Sequence, residues 1–379
     1  MKKRILFTIM VFTSMFFGVP NVFASTTITQ ADFDAAKGGT PTNGVSYIES
    51  GGHKWYNLTT DEEFIFDSDI NLGDAFLNSD NNTINLNGHS ITNDEVGGED
   101  ILLNAYDRDL TITGTGTVSR DVAVGGNGTL TLNGDVIYNG TVNISDENSK
   151  AVAVINAGTF NNSFYAAKAT VTINDGTFTG SFWGGALNLS GVTATIKGGT
   201  FSAGAASAAY FDGSDVTITG GTFTSTGDNG IEIFDDSTSL TISGGTFTGL
   251  YSGLTINNNP TVKLSGGTFK ATGEEAEAGA IRLTEGTTID ALLSSGYKYT
   301  TSSDSEEVSG IKVMSVKETS VISENTTNDE SNNVTEVETT TETKKTTPQT
   351  GDNIVFFELM LVLSIISFVY TSLKKKKFN

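Results

Sequence analysis

Between residues 150 and 270 the chain alternates aliphatic and small polar residues in short bursts, each followed by Gly-Thr-Phe. That tripeptide recurs at 158–160, 176–178, 199–201, 221–223, 245–247 and 267–269. Three residues before each of these glycines stands a large aliphatic: Ile155, Ile173, Ile196, Ile218, Ile242 or Leu264. Five residues before it comes Ala153, Val171, Ala194, Val216, Leu240 or Val262, and the position between is usually Thr. A period of two is that of a strand with one buried face, so aliphatics point inward and Thr outward. The parity then flips, because Phe223 is out of phase with Val216 and Ile218. A corner at Gly220-Gly221 turns Phe223 inward, since glycine tolerates the positive φ of a tight bend. A third apolar–polar–apolar segment follows in several repeats, at 187–189, 231–233, 254–256 and 281–283. Three short strands and three corners in roughly 22 residues describe one coil of a parallel β-helix.

Less regular coils extend the pattern upstream. Ile84–Ile91 fits with Ile91 in the Phe position, and Leu130–Ile137 fits with Ile137 there. Roughly ten or eleven coils over residues 64–289 would make a rod on the order of 50 Å long, with the six Phe rings stacked inside it. Residues 25–63, with a helical turn around Ala31–Ala36, and residues 290–316, with Leu292, Leu293, Tyr297 and Tyr299, are the expected end caps, because an open coil exposes unpaired backbone. A propeller needs a period nearer 40, and leucine-rich and calcium-binding nonapeptide repeats need signatures that are missing. The segment from Trp55-Tyr56-Asn57-Leu58 to Asn85–Thr92 resembles the entry coils of pectin-lyase-like domains on bacterial surface proteins, and the Gly-Gly-Thr-Phe coils are similar to the same group. The resemblance implies an all-β, right-handed parallel β-helix. It does not choose between lyases, hydrolases and non-catalytic adhesins, all of which use this fold.

The two ends carry a different signal. Lys2, Lys3 and Arg4 precede an apolar run from Ile5 to Val19 and then Val22-Phe23-Ala24, the order of a secretory signal peptide over residues 1–24 with cleavage after Ala24. Residues 317–347, rich in Thr, Ser, Glu, Asn and Lys, have too few aliphatics to offset ordering entropy and read as a disordered stalk. In residues 347–379, Thr347-Pro348-Gln349-Thr350-Gly351 is followed by the apolar stretch 354–373 and by Lys374–Lys377. As a helix the stretch would span about 30 Å, enough to cross a membrane. This three-part order resembles the cell-wall sorting signal (LPXTG) of Gram-positive sortase substrates, departing from it at Thr347, where the family has Leu. The resemblance implies sortase cleavage between Thr350 and Gly351 and transfer of the Thr350 carboxyl to peptidoglycan. Simple retention by the C-terminal transmembrane helix is the other reading.

The formal charge is −22, and it becomes −27 over residues 25–350. Such a surface repels nucleic acid and polyanionic sugar alike. There is no Cys, so stability rests on packing and backbone pairing. The acids Asp212, Asp215, Asp228, Glu232, Asp235 and Asp236 are the candidates for chemistry, and for recruiting Ca²⁺. An outward column through Asn188, Glu232, Thr255 and Arg282 carries no matched carboxylate pair, and the other acids read as turn-stabilising residues. His53 and His89 are isolated, and no nucleophile, phosphate-loop or zinc motif occurs. Trp183, with Tyr165 and Tyr251, is a candidate for stacking on sugar along one outer face; packing at the corners is the other reading of each. With Glu232, Thr255 and Arg282, Trp183 forms the expected ligand-binding set. The expected function is a wall-anchored adhesin for host or matrix glycan or protein, without a cofactor. A wall-displayed polysaccharide lyase or glycoside hydrolase is the alternative.

Overall fold

Each four-residue burst forms a strand, and strands one coil apart lie side by side. The computed structural model describes residues 25–59, 61–94, 101–145, 150–181, 184–273, 278–284, 287–301, 312–313 and 318–323. These belong to one of the chain's two compact units, Met1–Ser331. Three sheets run the length of the rod. The first has 11 strands, from Ser25–Ile28 to Thr261–Leu264; the second has 12 and the third 13. From Glu63–Phe66 to Ile281–Leu283 the strands make ten three-stranded coils, all paired in parallel.

The inward side chains repeat in register. Ile218 lies between Ile196 and Ile242, and Val216 between Ala194 and Leu240, all buried. Outside, Thr195, Thr217 and Thr241 form a matching row. The corner after the first sheet depends on glycine: Gly221 has φ 102°, and a Cβ there would sit 3.1 Å from the Gly199 carbonyl oxygen. Beyond the corner, Phe160, Phe178, Phe201, Phe223, Phe247 and Phe269 stack with ring centroids 4.4 to 5.2 Å apart. Such offset aromatic stacking adds to the burial of each ring.

The ladder begins one residue later than the sequence pattern puts it. Tyr138, not Ile137, occupies the Phe position, 4.9 Å from Phe160, and Ile137 is exposed. The corner around Gly134 holds one more residue than the Gly-Thr-Phe corners, and this reverses the parity. Ile91 does lie in the Phe column, through Val118.

At the start of the rod, Ser25–Ile28 extends the first sheet and the helix Gln30–Lys37 turns Phe33 and Ala36 into the core. The Gln30 side-chain amide donates to the Asn71 carbonyl (3.1 Å) and accepts the Asn71 N–H (2.6 Å), standing in for a missing strand. The hairpin Val45–Ser50 and His53–Leu58 closes the third sheet. At the far end Glu318–Ser323 inserts antiparallel between Thr268–Ala271 and Tyr297–Thr301. The expectation of a stalk beginning at 317 is thereby corrected: Val321 is buried, and the strand is part of the cap. Among the described residues no helix is long and apolar enough to cross a membrane; the expected span 354–373 lies outside them.

Among the described strands the parallel pairing slips at one place. Where Asp121–Gly125 meets Ile101–Tyr106, Asp121 pairs with Ile101 but Val122 with Leu103, a slip of one residue.

Candidate binding face

The three outer surfaces differ in kind. On the second sheet the outward row reads Thr177, Thr200, Thr222, Thr246 and Thr268 in successive coils. On the third sheet the equivalent row reads Tyr165, Asn188, Tyr210, Glu232, Thr255 and Arg282. Repetition needs no explanation beyond stacking, whereas a row that changes at every coil is where specific chemistry can reside.

Glu232 is the centre of a polar network spanning three coils. Its Oε2 accepts from Ser207 Oγ (2.9 Å) and Asn229 Nδ2 (3.3 Å), and its Oε1 from Asn257 Nδ2 (3.1 Å). The same Asn229 Nδ2 donates to Asp228 Oδ1 (2.8 Å), so one amide joins two carboxylates. The Tyr210 hydroxyl accepts the Ser207 N–H (2.9 Å) and donates to Asp228 Oδ2 (3.4 Å). Ser207 and Asn229 are buried. Burial, followed by the Asp228 charge, pushes Glu232 up to about 7, against the lowering effect of its three donors. Burial also raises Asp228, opposed by its donors and by the Arg282 charge. A carboxylic acid that titrates near pH 7 beside a second carboxyl is the raw material of acid–base catalysis. Here, however, both Glu232 oxygens already accept from side chains.

Glu232, Thr255 and Arg282 occupy consecutive coils, as the spacing implied, but Thr255 is no surface contact. It is buried, with Ser252 Oγ 2.6 Å from its hydroxyl. Tyr210 belongs between Asn188 and Glu232; its strand Ala209–Asp212 has Ala and Phe inward instead of two aliphatics, which hid it. The coil spacing, 22 residues before Glu232, was the available signal. The outward column itself carries a single carboxylate, as expected; the second comes from outside it. Asp228 sits in the turn before the Glu232 strand, and the turn brings it to the shared amide.

Asp235 accepts from the Ser237 N–H (2.7 Å) and Asp236 from the Asn259 N–H (2.7 Å), both turn contacts. Asp212 accepts from Ser190 Oγ (3.2 Å), and Asp215 is exposed on the first sheet. His89 Nδ1 lies 3.5 Å from Asp69, and His53 is exposed in the N-terminal hairpin. Among the described residues no group of three or more His, Cys, Asp or Glu side chains is placed to hold a metal ion. Trp183, Ala24 and Thr347–Gly351 lie outside the described residues. Neither the concavity of about 590 Å³ beside Pro260–Lys263 and Ala291–Ser295 nor that of about 250 Å³ around Pro41–Ser46, Leu58 and Thr59 includes a member of the Glu232 network.

Comparison with curated proteins and with solved structures returned no match. Residues 122–295 match the family model described as the right handed beta helix region, and with the ten parallel coils this makes the rod a right-handed parallel β-helix of pectin-lyase-like architecture.

Proposed function

We propose that the protein is a wall-anchored surface protein whose β-helix is a non-catalytic adhesin, binding extracellular glycan or matrix protein through the third sheet's outer face. One observation carries the binding reading: both oxygens of the network's central carboxylate are committed to Ser207, Asn229 and Asn257. A catalytic acid needs an oxygen free to meet substrate; a shaped binding face needs its polar groups held still. Aromatic side chains on the same face supply stacking surface, Tyr106 being about half exposed (52 %) and Tyr165 part of the outward row. The acidic surface selects neutral or basic ligands. Export through residues 1–24 and sortase transfer at Thr350-Gly351 supply the location, with sortase and peptidoglycan as partners.

The test is an array of glycans and matrix proteins probed with the full chain. Binding is expected, and Trp183→Ala should weaken it by about 2 kcal/mol, as truncation of an aromatic hot spot does. For the anchor, Thr350→Ala should move the protein from the wall fraction to membrane or medium. A second reading, glycoside hydrolysis, is favoured by the carboxyl pair sharing Asn229. Release of new saturated reducing ends from a polysaccharide, abolished by Glu232→Gln, would establish that reading and displace the first; unsaturated ends formed with Ca²⁺ present would mark a lyase instead.

A further inference from the structure

We propose that the Asp228–Glu232 pair is a proton-linked clasp: it takes up a proton on folding, so that the middle of the third face is held tightest in acidic medium and loosens as the pH rises to neutrality.

The geometry makes the linkage. Asp228 Oδ1 and Glu232 Oε2 both lie within 3.3 Å of the single Asn229 Nδ2. Two carboxylates at one buried amide cannot both ionise without repulsion that little water screens. Among the described residues the groups facing them are few. The preceding coil presents Ser207 and Tyr210; the following coil presents Ser252, which donates to Asn229 Oδ1 (3.0 Å), with Thr255 and Asn257. The coil beyond presents Arg282, the one cation among these described groups, and its charge acts on Asp228. Tyr210 remains protonated over this range, its hydroxyl raised first by burial.

The sign is set by which state holds more protons. In the unfolded chain the Glu carboxyl titrates near ~4.3; in the fold, burial and Asp228 hold it at about 7. Between those values the folded chain carries a proton that the unfolded chain does not, so stability falls as pH rises through that window and levels off above it. This is opposite to the behaviour of an ion-paired carboxylate. The network joins three coils through Ser207, Glu232 and Asn257, and so the effect is local to them.

Amide hydrogen exchange of the full chain, corrected for the intrinsic pH dependence, tests the clasp. At residues 229–233 and 252–256 the opening constant should fall about tenfold from pH 8 to pH 6, the linkage of one such group. Glu232→Gln should remove that dependence, while Asp215→Asn, which deletes an exposed charge on the first sheet, should keep it. Equal protection at both pH values, or equal flattening by Asp215→Asn, would overturn the proposal. If Glu232→Gln does not fold, Asp228→Asn serves instead. It should move the midpoint of the protection change to lower pH, and an unmoved midpoint would refute the pairing.

Discussion

The second and third sheets share coils, spacing and backbone pairing, yet they use the solenoid in opposite ways. Inside the second sheet, six successive coils place Phe on Phe, and outside it Thr follows Thr. On the third sheet, Tyr, Asn, Tyr, Glu, Thr and Arg succeed one another at a single outward position. Identical residues in register are self-complementary, so a column of them stabilises every interface equally and distinguishes none. A varied column must be solved locally. In the coils around Glu232 the solution is a hydrogen-bond network in place of a stack. The repeating faces carry the stability of the rod, and the varied face its individuality.

That division can be broken most severely from within. Ile218→Asp would bury a charge without a partner between Ile196 and Ile242 and should cost on the order of 5 kcal/mol, read as loss of the cooperative melting transition. Phe223→Ala should cost about 3–5 kcal/mol through lost burial and the void left in the ring column. Asn188→Ala, on the varied face, should cost about 1 kcal/mol, the worth of its hydrogen bond to the Gly185 carbonyl. Denaturation midpoints showing Asn188→Ala as damaging as Phe223→Ala would erase the contrast between the two sheets.

Further substitutions sharpen the same comparison. Gly221→Ala forces a side chain into φ 102° and toward the Gly199 carbonyl, at about 1–2 kcal/mol. Gly204→Ala, where an added Cβ meets nothing within 4 Å, should be neutral or slightly stabilising. Similar losses in both variants would mean that the corner does not depend on glycine. Thr217→Asp, one residue from Ile218 but facing outward, should likewise change stability by less than about 0.5 kcal/mol. A loss matching that of Ile218→Asp would contradict the coil register.

What the sequence revealed follows the same division. The Gly-Thr-Phe period and the aliphatics before it were sufficient for the first and second sheets, because there each coil repeats its neighbour. The reading slipped at Ile137, where the Gly134 corner is longer by one residue and nothing in the local pattern marks it. It stopped short at Glu318–Ser323, whose Thr- and Ser-rich composition matches the expected stalk and whose order comes from pairing with Thr268–Ala271. The carboxyl pair was out of reach for another reason. Asp228 looks like any turn acid until Ser207, Asn229 and Asn257 are brought together from three coils. Contacts that depend on register between coils are not encoded in any one of them.

The slip of register at Asp121 and Val122 has a consequence for how the rod comes apart. A solenoid behaves nearly as a one-dimensional array in which each unit is coupled to its two neighbours, and cooperativity extends only as far as that coupling is uniform. The displaced pairing breaks that uniformity in the third sheet alone, since the first and second sheets cross the same coil boundary in register. Fraying that starts among the irregular early coils should therefore meet a change of coupling there on one face of the rod while the other two faces remain continuous.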